Sequence, residues 1–305
     1  MEYKKSFLDG PNDLYTVIFT KNIKFPTLIF IHGGPGLNCG LLEYLIEYDN
    51  LFSALQYNLV LYDQRACGRS PPIPLEVTHA DNVNDLLNLY YFLVSEMKMD
   101  IKGMIGHSYG AKILADCIWL HQLNVFPIFV GISDSLLTPR LKNILLDLAW
   151  LRTHDLEKYR YYFSQLNDRN LPKLWQLTEE LALIVKQSEN RYPAFWANVE
   201  WYEKAKDILL TLNLPINSQV FNSVRRGMYS NEESLKLNIK NMKVAYLWVN
   251  GLYDSIMNGE SALVDQSEIT AFFQSAHYPH IEENPRFCSL LNGVLANEST
   301  RDEFP

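Results

Sequence analysis

At 305 residues the chain is long enough for one large domain, or for a core carrying an insertion. Hydrophobic residues make up 48% and charged residues 20%, values of an ordinary globular protein rather than a disordered one. The 27 basic and 35 acidic residues give a formal charge of −8, which argues against a nucleic-acid binder; Arg225-Arg226 is the nearest approach to a basic cluster. The opening segment MEYKKSFLDGPNDLY has no apolar core of a signal peptide, and no window approaches the roughly 18 apolar residues of a membrane span. Cys39, Cys67, Cys117 and Cys288 are widely spaced and read as four buried thiols in a reducing compartment, so the expected location is cytoplasmic.

In chain order, β-rich runs come first: Tyr15–Thr20, Thr27–Ile31 and Leu59–Tyr62, each closed by polar or glycine residues. Apolar residues at helical spacing predict helices over Leu41–Leu55 and Val83–Met97. A strand at Met104–Gly106 leads into a helix over Ala111–Leu120, and further strands are predicted at Phe126–Ile132, Val244–Val249 and Ile269–Phe273. Strands alternating with helices predict an α/β protein with a mostly parallel central sheet flanked by helices. The alternation stops between Pro139 and Asn241, where the chain is helix-like and rich in tryptophan and tyrosine. The expected organisation is a core of residues 1–138 and 241–305, with 139–240 inserted as a helical cap.

The chemistry concentrates at Gly106-His107-Ser108-Tyr109-Gly110, a G-x-S-x-G pattern between a strand and a helix. This is the setting of the nucleophile elbow of α/β-hydrolases, in which flanking glycines let strand and helix pass closely. Alone the pattern is weak, since about one chain in ten of this length would show it by chance. Three further features decide its reading. Upstream, His32-Gly33-Gly34-Pro35-Gly36 follows a strand, and such glycine loops supply an N–H to an oxyanion; Gly34 and Tyr109 are the expected donors. Downstream, Asp254 follows one predicted strand and His277 the next, giving the order Ser108, Asp254, His277 expected of this fold. His280 is a rival base, but it opens the following helix rather than ending the strand. Asp134 is a rival acid that also reads as a helix cap.

HGGPG at 32–36, DQRACGRS at 63–70, GHSYG at 106–110, GLYD at 251–254 and AHYPHIEENP at 276–285 together resemble the proline iminopeptidase family of α/β-hydrolases. The Asp and Arg of the second motif read as a structural ion pair near the site. The resemblance implies a serine aminopeptidase that needs no cofactor or metal and releases N-terminal residues from short peptides, with cap carboxylates holding the substrate ammonium. Glu200 beside Trp196, and Glu232 within Met228–Glu233, are the positions of this chain that match the family's cap segments. An esterase, lactonase or amidase acting on a small metabolite through the same three residues is the alternative. A non-catalytic ligand-binding protein on the same fold is a third reading.

Overall fold

The computed structural model describes residues 2–73, 76–166, 170–185, 192–230, 233–239, 242–254 and 268–301. Eight strands form one sheet: β1 (Lys4–Asp9), β2 (Tyr15–Thr20), β3 (Thr27–Ile31), β4 (Asn58–Tyr62), β5 (Ile101–His107), β6 (Phe126–Val130), β7 (Tyr246–Gly251) and β8 (Glu268–Phe273). Their spatial order is β1-β2-β4-β3-β5-β6-β7-β8. β1 and β2 are antiparallel to their neighbours, and every pairing from β4 onward is parallel. Such a parallel sheet is covered on both faces, so its strands are apolar throughout rather than alternating. In β3, Leu28 and Phe30 face the side of helix α1 (Gly40–Tyr48) and the C-terminal helix at Asn284–Arg301. Ile29 and Ile31 face the side of α2 (His79–Tyr91) and α3 (Tyr109–His121).

The predicted strands and helices are present; β5, β6 and β7 shift at their ends by up to three residues, and three differences are larger. β1 escaped prediction because it is an edge strand, largely exposed, with no apolar alternation to mark it. The helix expected over Leu41–Leu55 ends at Tyr48; Leu51, Phe52 and Leu55 keep helical spacing and are buried, but they sit in turns where Asn50 and Phe52 take positive φ. The helix expected over Val83–Met97 begins earlier, at His79. There Thr78 accepts from the Asp81 N–H while the Asp81 carboxylate accepts from the Thr78 N–H, a reciprocal cap.

Among the described residues, five longer helices lie between β6 and β7: α4 (Leu137–His154), α5 (Leu156–Gln165), α6 (Leu171–Ile184), α7 (Val199–Leu212) and α8 (Ser218–Met228). α4 and α6 share a small apolar cluster built on Ile144, Leu148, Leu174 and Leu181. α7 instead sends Ala205 and Ile208 into the cluster on the α1 side of the sheet, and α8 sends Val220 and Val224 into the opposite one. The chain entering and leaving this region is laced together: Leu237 N–H donates to the Asp134 carbonyl and Leu136 N–H to that of Leu235. After β8 come α9 (Pro279–Glu282) and α10 (Asn284–Arg301). No described helix is long and apolar enough to cross a membrane.

Candidate active site

Ser108 occupies the single residue between β5 and α3, at φ 52° and ψ −120°. Positive φ in a non-glycine residue costs about 1–3 kcal/mol and persists only where the surroundings impose it. They do so here. Ser108 N–H donates to Val130 O at 2.9 Å, and its carbonyl accepts from Ala111 N–H at 3.0 Å. A Cβ on Gly106 would lie 2.6 Å from the Ala111 Cα, and one on Gly110 would strike the Ile31 and His32 carbonyl oxygens. Only glycine at both positions lets α3 start this close to β5 and β3.

The loop after β3 lies against the elbow: a Cβ on Gly33 would come within 2.9 Å of the Ser108 Cβ. Gly34 follows at φ 56°, and together with Ser108 and Tyr109 it lines one cavity of about 80 Å³. Tyr109 is the first residue of α3, so its N–H has no intrahelical acceptor. Its phenol is fixed by Asn82 Nδ2 at 3.0 Å and His79 Nδ1 at 3.1 Å. The buried His32 ring accepts from Gln64 N–H through Nε2, which leaves Nδ1 to donate to the Gly33 carbonyl. Burial holds this imidazole below its usual pKa, so it is a neutral strut.

The DQRACGRS segment stiffens the same loop. Asp63 is fully buried and accepts from Cys39 N–H, Arg69 N–H and Arg69 Nε at 2.8–2.9 Å. Burial alone would favour the neutral acid, but the Arg69 guanidinium outweighs it and holds the carboxyl below its ordinary range. Arg65 pairs separately with Asp85 at 2.6 Å. The expected structural ion pair is therefore Asp63–Arg69, and it contacts the backbone that precedes α1.

Asp254 and His277 meet. His277 Nδ1 donates to Asp254 Oδ2 at 2.8 Å, both side chains are buried, and Nε2 is left as the acceptor of the ring. The two loops are held in register by Leu252 N–H to Phe273 O and Tyr253 N–H to Ser275 O, at 2.8 and 3.0 Å. Gly251 permits this approach, since a Cβ there would strike the Ser275 and Ala276 carbonyls. The Glu282 carboxylate accepts from Ala276, Ala197 and Asn198 N–H groups, tying the histidine loop to the region before α7.

Two contacts to His277 were not legible in the sequence. His107 Nε2 donates to the His277 carbonyl at 2.9 Å, and His277 N–H donates to Phe195 O at 2.9 Å. Neither has a local signal, because each joins residues far apart in the chain. His280 is buried against Phe30 and Phe287, and its Nδ1 has no partner among the described residues. Asp134 belongs to the neck of the inserted region through its backbone; α4 is capped by Leu136 and receives no side-chain cap.

Of the three expected cap positions, Trp196 is buried and stacks on Tyr278 at 4.3 Å, beside the histidine loop but away from the Ser108 cavity. Glu200 is exposed in the first turn of α7 and does not line that cavity. Glu232 lies outside the described residues. The inserted region instead presents Arg140, Asn143, Arg225, Met228 and Tyr229 to the cavity. Met228 and Tyr229 belong to the Met228–Glu233 segment that the sequence marked, but nothing in the sequence distinguished Arg140, Asn143 and Arg225 from solvated helix residues.

Residues 26–117 match the family described as alpha/beta hydrolase fold. No curated protein matches the sequence. Among solved structures, the chain is similar to a proline iminopeptidase-related protein of Thermus thermophilus, at 16% identity and TM-score 0.67, over 97% of this chain and 98% of that one. It is also similar to an esterase of Exiguobacterium antarcticum (14%, TM-score 0.59, 97% and 100% covered). A third is 2-hydroxy-6-oxo-6-phenylhexa-2,4-dienoate hydrolase of a Rhodococcus strain (14%, TM-score 0.61, 95% and 97% covered). Strand order, elbow and these likenesses agree: the chain has the α/β-hydrolase fold.

Proposed function

We propose that this protein is a serine hydrolase that cleaves an amide or ester bond through an acyl-enzyme. The observation that carries the reading is the buried Asp254–His277 hydrogen bond, on the loops that follow β7 and β8 of the sheet whose β5 ends at the Ser108 elbow. Ser108 Oγ attacks the carbonyl carbon as His277 Nε2 takes its proton. Asp254 fixes the Nδ1–H tautomer and stabilises the imidazolium that results. The Gly34 and Tyr109 N–H groups receive the oxyanion. His277 then returns the proton to the departing nitrogen or oxygen, and a water activated by the same ring releases the acid. Residues 139–240 act as a cap in this reading, supported by Arg140 and Met228, which line the Ser108 cavity from α4 and α8.

Five motifs shared with proline iminopeptidases, and the likeness to a protein related to them, support an aminopeptidase of that type. The cavity supports the second reading, an esterase or amidase on a small metabolite: its described lining has two guanidinium groups and no carboxylate to hold a substrate ammonium. A fluorophosphonate probe tests the shared chemistry, and it should label Ser108 in folded protein and not in Ser108→Ala. Absence of labelling in folded wild type rejects the hydrolase. Turnover of aminoacyl-naphthylamides, including the prolyl one, beside short-chain nitrophenyl esters separates the two readings; ester turnover without any amide turnover removes the aminopeptidase.

A further inference from the structure

Arg140 is 5% exposed, yet among the described residues no carboxylate lies within ion-pair distance of it. Its Nε donates to the Tyr229 phenol at 3.0 Å, and the guanidinium lies 5.1 and 5.0 Å from the Trp175 and Tyr229 ring centres. The Tyr229 hydroxyl in turn donates to the Leu136 carbonyl at 3.3 Å, which fixes the acceptor that aims the guanidinium. A guanidinium is charged at any physiological pH and has five donors, of which one has a hydrogen-bond partner among the described residues. Enclosing such a charge without an anion is costly, and the cost is recovered when an anion arrives. Two half-buried arginines outside the inserted region do have their anions: Arg65 pairs with Asp85, and Arg69 with Asp63 and Glu43.

Arg140 lines the same cavity as Ser108, Gly34 and Tyr109, and Arg225 adds a second cation to that lining. His277, which in the mechanism protonates the leaving group, is not part of it. The lining holds the nucleophile and both oxyanion donors, so in the hydrolase reading this cavity receives the acyl half of the substrate. At about 80 Å³ it has room for a short acyl chain and not for a peptide of several residues.

We propose that Arg140 binds a carboxylate on the acyl half of the substrate, making the preferred substrate a monoester or monoamide of a short dicarboxylic acid. Hydrolysis then adds water across the acyl bond and releases the free diacid together with the alcohol or amine. The inference rests on the hydrolase reading above for the position of the acyl group, and it deepens that reading by naming a substrate class.

The test compares kcat/KM for 4-nitrophenyl hydrogen glutarate with that for 4-nitrophenyl pentanoate, an acyl chain of the same carbon number without the charge. Charge-assisted hydrogen bonds predict a preference of at least about tenfold for the glutarate. In Arg140→Gln the glutarate-to-pentanoate ratio should fall by about the same factor, and Arg140→Lys should restore part of it. A parallel pair, 4-carboxyphenyl and phenyl pentanoate, moves the carboxylate to the leaving group. A preference appearing there and not in the first pair overturns the assignment to the acyl half. No glutarate preference in wild type, or an unchanged ratio in Arg140→Gln, overturns the proposal altogether. Because Arg140 also packs on Trp175 and Tyr229, each variant is melted and labelled with the fluorophosphonate first. Free glutarate added to Ser108→Ala protein supplies a readout that needs no turnover: it should raise the melting temperature, and Arg140→Gln should remove that rise. Failure of fluorophosphonate labelling with glutarate stabilisation intact would sink the hydrolase and keep the anion site. Labelling without stabilisation would do the reverse.

Discussion

Mild acid should destabilise this protein well above the range in which carboxylates titrate, and His280 should account for about 1.4 kcal/mol of the loss. His32, His107 and His280 are all buried. Burial is the leading cause that holds each below its ordinary value, and it pushes His280 down to about 3. In the unfolded chain the same imidazoles titrate near 6.5. With the folded pKa depressed, the unfolded state binds more protons in the interval between the two values, so stability falls as pH drops below about 6.5. Integrated from pH 7.5 to 5.5, a histidine that stays neutral when folded, as His280 does, costs about 1.4 kcal/mol, and His32 and His107 add to the loss in the same direction. Against the 5–15 kcal/mol typical of a folded domain, the share of His280 alone is measurable. Asp63, whose carboxyl is held below its ordinary value, loses its contribution only at still lower pH, outside this window. His280→Leu removes one of the three groups and a ring nitrogen that has no partner among the described residues. At pH 7.5 the variant trades that nitrogen, worth about 1–3 kcal/mol, against imperfect packing beside Phe30 and Phe287, so the informative quantity is the difference between the two pH values. Urea unfolding followed by tryptophan fluorescence should show that difference shrinking by about 1.4 kcal/mol in the variant. If wild type and variant lose the same stability between pH 7.5 and 5.5, the reasoning about His280 is wrong. If wild type loses none, the reasoning about all three is wrong.

Two further outcomes are expected. Gly110→Ala should cost several kcal/mol, because the new methyl meets the Ile31 and His32 carbonyls and β3 has no room to retreat; Gly227→Ala, in α8 with nothing within 4 Å, should be neutral or gain up to about 1 kcal/mol. Equal melting temperatures for the two variants would contradict this account of the elbow. The four cysteines are buried and unpaired; burial pushes the Cys67, Cys117 and Cys288 thiols up to about 12 and Cys39 well above its ordinary value. Ellman's reagent should therefore leave native protein unmodified and titrate four thiols once it is denatured, and rapid labelling of the native form would refute their burial.

What could be read before any coordinates was whatever short-range order encodes. β2 and β3 have the predicted limits, since an apolar run broken by polar residues or glycine is a local property of the chain. The glycines at 33, 34, 106 and 110 marked the elbow and its facing loop because close backbone approach excludes every other side chain. The chain order of Ser108, Asp254 and His277 was legible because each follows a strand of one parallel sheet, whose C-terminal ends gather on one edge. Tertiary structure alone decided what depends on partners distant in sequence. Leu51, Phe52 and Leu55 keep the spacing of a helix and form turns, because burial under α10 rather than helical geometry placed them. His280 and His277 are both buried and differ in their partners: His277 meets Asp254, while His280 Nδ1 has no partner among the described residues, which no pattern of residues expresses. Arg140 is one cation among 27 until the fold encloses it beside Ser108 without a carboxylate among the described residues. A sequence states which charges exist; only the folded chain determines which of them find an opposite among the described residues, and the proposed substrate class turns on that.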